Sequence, residues 1–139
     1  MAKKILIDSG PLIAFLSSSE HHHRWVLEQM SVLDGDLLTT ESVLSEVVYL
    51  LKQNHIALKA IQDLIDQSLI RVVPSFSESP MLCFKMIMKY ADLPASVADV
   101  SLVYLHSITK HSVIFTLDSD FLIYKTTSGK PLNLIAPFT

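Results

Sequence analysis

Ile5-Leu6-Ile7-Asp8-Ser9-Gly10-Pro11 begins as a short, unbroken β-favouring run and ends in turn chemistry, with a proline placed to open a helix. The segment reads as strand, turn, helix, and the same alternation recurs outward from it. Strands are expected over residues 5–7, 37–40, 69–73, 113–117 and 132–135. Helices are expected over 11–16, about 22–33, 42–53, 57–67, 78–90 and 97–108, with a short one near 121–124. Short, continuously apolar strands separated by helices imply right-handed crossovers and a mainly parallel sheet covered on both faces. The expected class is α/β, a three-layer α/β/α sandwich. No repeat, linker or low-complexity tract divides the sequence, so residues 1–139 are taken as a single domain.

Composition agrees with one ordinary core. The chain has 139 residues, 50% hydrophobic and 18% charged, with three glycines and six prolines, which excludes disordered and collagen-like classes. Eleven Lys and Arg against fourteen Asp and Glu give a net charge of −3, without the basic balance of many nucleic-acid binders. Cys83 is the single cysteine, so no internal disulfide or thiolate zinc site is available, and a reducing, cytoplasmic setting is expected. Only three apolar residues follow Lys3-Lys4 before Asp8, too few for a signal-peptide core. No uncharged apolar run approaches the roughly 18 to 20 residues of a membrane span.

In open parallel sheets ligands bind outside the carboxyl ends of the strands. Asp8 ends the first strand and Asp118 follows the strand over 113–117, so neighbouring strands would bring both carboxylates to one rim. Asp at such a junction also caps the next helix. Glu46 lies beside the apolar stripe of Val43, Val47 and Leu50, where it either needs a partner or reaches water at the stripe's edge. Asp99 stands in the apolar helix over 97–108, and Ser96-Val97-Ala98-Asp99 also fits a capping box. Asp120 follows close behind Asp118. Clustered carboxylates repel one another, and a hard divalent cation such as Mg²⁺ or Mn²⁺ relieves this with oxygen ligands. Such an ion orients a phosphodiester and lowers the pKa of a bound water. The chemistry expected is metal-dependent phosphodiester hydrolysis.

These residues resemble the PIN domain ribonucleases, and among them the VapC-like toxins of type II toxin–antitoxin pairs. The resemblance rests on residues 5–14, on Glu41-Ser42-Val43-Leu44-Ser45-Glu46, on Lys89-Tyr90-Ala91-Asp92-Leu93-Pro94 leading to Ala98-Asp99, and on Thr116-Leu117-Asp118-Ser119-Asp120-Phe121. It implies an endoribonuclease whose metal-binding acids are Asp8, Glu46 and Asp99, with Asp118 as the fourth and Asp120 as the other acid of that segment. Ser9 and Thr116 resemble the small hydroxyl residues that hold a metal-bound water or orient a carboxylate. An RNA substrate, a small antitoxin protein and a homodimer are implied as partners.

Two other functions fit some of the residues. One is a PIN fold that binds RNA or protein without turnover. The other is an aspartate-dependent phosphatase using Asp8, although Gly10 stands where haloacid-dehalogenase-like phosphatases carry a second aspartate. His21-His22-His23 reads as a solvated helix start, and His106 as a core or metal-adjacent histidine. Met81, Phe84, Met86 and Met88 are expected to pack a core or a partner surface. Setting aside Asp8, Glu46, Asp99, Asp118 and Asp120 leaves nine acids against eleven bases, so the acidity gathers at the expected site.

Overall fold

The computed structural model describes residues 3–139. Strand β1 (Lys4–Ile7) has no polar face: Ile5, Leu6 and Ile7 are fully buried, as a strand covered on both sides requires. It pairs in parallel with β2 (Asp36–Thr39) on one side and β4 (Ser112–Phe115) on the other. Beyond these lie β3 (Ile70–Val72) and β5 (Leu134–Ile135), also parallel, giving the order β3-β2-β1-β4-β5. Helices α1 (Ser9–Leu16), α2 (His23–Val32), α3 (Glu41–Leu50), α4 (His55–Asp66), α5 (Pro80–Lys89) and α6 (Val97–Ile108) complete a three-layer α/β/α sandwich. The chain leaves β1 toward β2 and β3, then returns to β4 on the far side of β1. The reversal between β1 and β4 is the switch point at which such sheets open a cleft.

Local chemistry sets the element ends. Asp8 and Thr40 cap α1 and α3, so those helices begin at Ser9 and Glu41, earlier than expected. The expected helix over 78–90 divides into a 3-10 turn (Phe76–Glu78) and α5, which Pro80 opens because a helix's first N–H needs no partner. Residues 121–124 form no α-helix; a 3-10 turn (Ser119–Leu122) capped by Asp118 takes their place. The last strand shortens to Leu134–Ile135, pairing with Ile114 and Phe115.

Helix α6 is the central packing element, with Ala98 and every residue from Val100 to His106 buried. Its buried His106 is part of the core, tying α6 to the sheet. The Asn133 N–H donates to Nε2 at 3.1 Å, which leaves Nδ1–H to donate to Ser112 Oγ at 2.8 Å. Burial holds its pKa below the ordinary histidine value. On α5, Cys83 and Met86 are buried, whereas Met81, Phe84 and Met88 face solvent and belong to no core.

Gly35 shapes the turn into β2. At its φ of +150° an added Cβ would stand 2.3 Å from the Lys3 carbonyl oxygen, the group that accepts the Asp36 N–H. Gly35→Ala is expected to cost about 2 kcal/mol or more by separating β1 from β2. Urea denaturation checks this; an unchanged midpoint would refute it.

Candidate functional site

The carboxyl ends of β1, β2 and β4 supply the rim of the switch-point cleft. Asp8 follows β1 and is almost wholly buried. Its Oδ1 accepts the Ser9 N–H at 2.8 Å, and its Oδ2 accepts the Thr116 hydroxyl at 2.8 Å. Thr116 follows β4, and its Oγ1 accepts the Asp118 N–H at 3.0 Å. One buried hydroxyl thus couples Asp8 to the loop that carries Asp118. Asp118 Oδ1 in turn accepts the Asp120 N–H at 2.9 Å. Gly10 lets the start of α1 approach this loop, since a Cβ there would lie 3.2 Å from Leu117 Cβ.

Glu46 projects from α3 and is exposed, resolving its position to the water side of the apolar stripe. Its Oε1 accepts the Ser9 hydroxyl at 2.9 Å. Ser9 therefore bridges Asp8, through its N–H, to Glu46, through its Oγ. Asp99 enters from the first turn of α6, and both halves of its capping box form with Ser96. Its Oδ2 also accepts the Tyr124 hydroxyl at 2.9 Å.

Tyr124 is the functional neighbour the sequence reading missed. Its ring is fully buried, and burial first, then Asp99, push its pKa far above the ordinary phenol value, so it remains a donor. The available signal was a tyrosine in an apolar run, whose hydroxyl must find a partner when buried. A second hidden tie joins the helices that carry Glu46 and Asp99. Ser101 spends its proton on the Ala98 carbonyl at 2.7 Å, so the Thr40 hydroxyl donates to Ser101 Oγ at 2.9 Å.

The five acids share one electrostatic environment. The pKa of Asp8 is raised to about 7, chiefly by burial, against the hydrogen bonds from Thr116 and Ser9 and with help from Asp99 and Glu46. Asp99 is raised by burial and, less, by Asp118; Asp120 by desolvation and by Asp118. None of the five is in an ion pair among the described residues, where the pairs are Lys4–Asp36, Lys59–Asp63 and Arg71–Asp36. Each hydrogen bond to Asp8, Glu46, Asp99 and Asp118 comes from a hydroxyl or a backbone N–H. The donor set is all hard oxygen and lacks a counter-charge, which fits a divalent cation of the Mg²⁺ or Mn²⁺ kind. As the side chains stand, no three of them converge on a single point among the described residues. Ser9 ties Asp8 to Glu46, Thr116 ties Asp8 to the Asp118 backbone, and Tyr124 holds Asp99 separately, so the carboxylates would have to turn inward to share an ion.

The PIN domain family profile matches residues 5–126, a span containing all five acids. No curated protein matches the chain. Among solved structures the fold is similar to that of VapC20 from Mycobacterium tuberculosis, described as a Sarcin-Ricin loop cleaving toxin. The TM-score is 0.74, with 15% identity, over 84% of this chain and 91% of that one. At that identity the likeness is one of fold. No helix among the described residues is long and apolar enough to cross a membrane. With a family match across most of its length and a parallel sheet in the order β3-β2-β1-β4-β5, the chain belongs to the PIN domain family.

Proposed function

We propose that this protein is an endoribonuclease that hydrolyses RNA phosphodiester bonds with Mg²⁺ or Mn²⁺, and that it is the toxin of a toxin–antitoxin pair. One observation carries the reading: β1, α3, α6 and the loop after β4 each bring a carboxylate to the switch-point rim, near enough that Asp99 and Glu46 raise the pKa of Asp8 and Asp118 that of Asp99, and none of them is paired with a cationic side chain among the described residues. Membership of the PIN family supports a nuclease. The likeness to a toxin described as cleaving the Sarcin-Ricin loop supports RNA as substrate and an antitoxin as partner. The same reading makes the protein cytoplasmic and a homodimer, for which the exposed Val48, Tyr49, Leu50 and Ile56 offer apolar surface.

Asp8, Glu46, Asp99 and Asp118 would hold the cation, with Asp120 beside them. When bound, the ion supplies charge stabilisation for a phosphodiester and a water of lowered pKa. The chain's own residues prepare the site. Ser9 and Thr116 hold both oxygens of Asp8, and Tyr124 holds one oxygen of Asp99, so these carboxylates are already oriented by their neighbours and would exchange part of that bonding to turn toward an ion. Asp8, half protonated near pH 7 without a counter-charge, must release that proton on binding a cation.

Calorimetric titration with Mn²⁺ at neutral pH, in buffers of different ionisation heat, tests the site. Saturable binding with proton release, lost in Asp99→Asn, is expected. The competing reading, a PIN fold that binds without turnover, draws on the carboxylates not converging among the described residues. It predicts no Mn²⁺ binding attributable to these acids, and that outcome would displace the nuclease.

A further inference from the structure

Away from the carboxylates, Lys85 and Lys89 of α5 and Lys125 of the loop after the 3-10 turn Ser119–Leu122 line one cavity of about 180 Å³. Tyr90, Thr126 and Thr127 also line it, and no acidic residue does among the described residues. A spacing of four sets Lys85 and Lys89 one helical turn apart on the same face. None of the three lysines forms an ion pair among the described residues.

Tyr90 organises both walls. The Lys89 ammonium lies 5.4 Å from its ring centroid, and its hydroxyl accepts the Lys125 N–H at 3.0 Å. Three like charges around one small space repel, and a polyvalent anion relieves the repulsion. Threonine hydroxyls are donors of the kind that contact phosphate oxygens. Tyr90 also packs edge-on against Tyr124, with centroids 5.0 Å apart, and Tyr124 donates to Asp99. The cationic cleft and the acidic site are thus separated by a wall of two aromatic rings. In a chain of net charge −3, a polyanion is held where unpaired cations are gathered.

We propose that the Lys85–Lys89–Lys125 cleft is a phosphate subsite that grips the RNA strand at a phosphodiester flanking the one to be cut. This rests on the nuclease reading and names the residues that position its substrate. The test measures affinity of a fluorescein-labelled oligouridylate over a salt series, in chelator, for the wild type and for the K85Q/K89Q/K125Q variant. Each lysine removed should lower the slope of log K against log salt by about 0.7, so the triple variant should lose about 2. Lys59→Gln, which breaks an ion pair on α4, should leave the slope unchanged. With Mn²⁺ present, the triple variant should raise KM about tenfold or more at nearly constant kcat. Wild-type cleavage together with an unchanged slope and KM in the triple variant would overturn the subsite alone. A wild type that neither binds nor cuts RNA would overturn the nuclease reading, and the subsite with it.

Discussion

Asp8→Asn is expected to cut metal-dependent RNA cleavage by about a thousandfold or more, while making the metal-free protein more stable at neutral pH. The two effects share one cause. Asp8 is buried at the end of β1 with two hydrogen bonds but no cation, and its pKa is raised from 3.8 to about 7. The folded state therefore binds a proton that the unfolded chain releases near pH 4. Stability from this proton is complete below pH 3.8 and is lost as pH rises through about 7. The shift corresponds to about 4 kcal/mol at one pKa unit per 1.36 kcal/mol. Asn keeps the shape and still accepts the Ser9 N–H, yet carries no charge to desolvate. Burial of His106 acts in the opposite sense, since its lowered pKa costs stability as pH falls below 6.5. The informative quantity is therefore the difference between the wild-type and Asp8→Asn stability profiles from pH 5 to pH 8, measured by urea denaturation in chelator. That difference should grow with pH in favour of Asn. Equal profiles would show that Asp8 is not held in a cation-poor interior, and retained cleavage would remove it from the catalytic site.

How far these features were legible in the sequence depends on whether local or tertiary physics decides them. β1 was legible because Ile5, Leu6 and Ile7 form a run with no polar face, and only a doubly covered strand uses such a run at that length. The cap roles of Asp8 and Asp99 were legible because a cap is made within four residues of chain. Glu46 was undecided because α3 alone does not reveal which side of its stripe meets water; the position of α1, with Ser9, decides it. Strand β5 was overextended because edge pairing is set by its neighbour β4 and not by the apolar character of Leu132. Tyr124 lay beyond local reading because its partner, Asp99, is 25 residues away and meets it only once α6 is packed. The methionines of α5 were left between a core and a partner surface for a related reason: apolar character alone does not separate a core face from an exposed one, and packing buries Met86 while Met81 and Met88 stay exposed.

Thr116→Val is the sharper test of how the site is held, because it changes no charge and almost no volume. Thr116 is fully buried; its hydroxyl donates to Asp8 and accepts from the Asp118 N–H. Valine leaves both without a partner. Each buried group so orphaned costs about 1 to 3 kcal/mol, and a combined loss of about 2 to 4 kcal/mol is expected by urea denaturation. The functional consequence has a definite sign. The Thr116 bond is the largest influence holding the Asp8 pKa down, so its loss moves that pKa further up. A carboxyl must shed its proton before it binds a cation, so Mn²⁺ affinity and cleavage should fall about tenfold or more at neutral pH and recover toward alkaline pH. Thr116→Ser, which keeps the hydroxyl, should restore the neutral-pH activity although it sacrifices packing. A merely structural role would lower activity equally at every pH and would be relieved no better by Ser than by Val. That outcome would separate Thr116 from the ionisation of Asp8, whereas an alkaline shift confined to the valine variant ties the end of β4 to the chemistry at the end of β1.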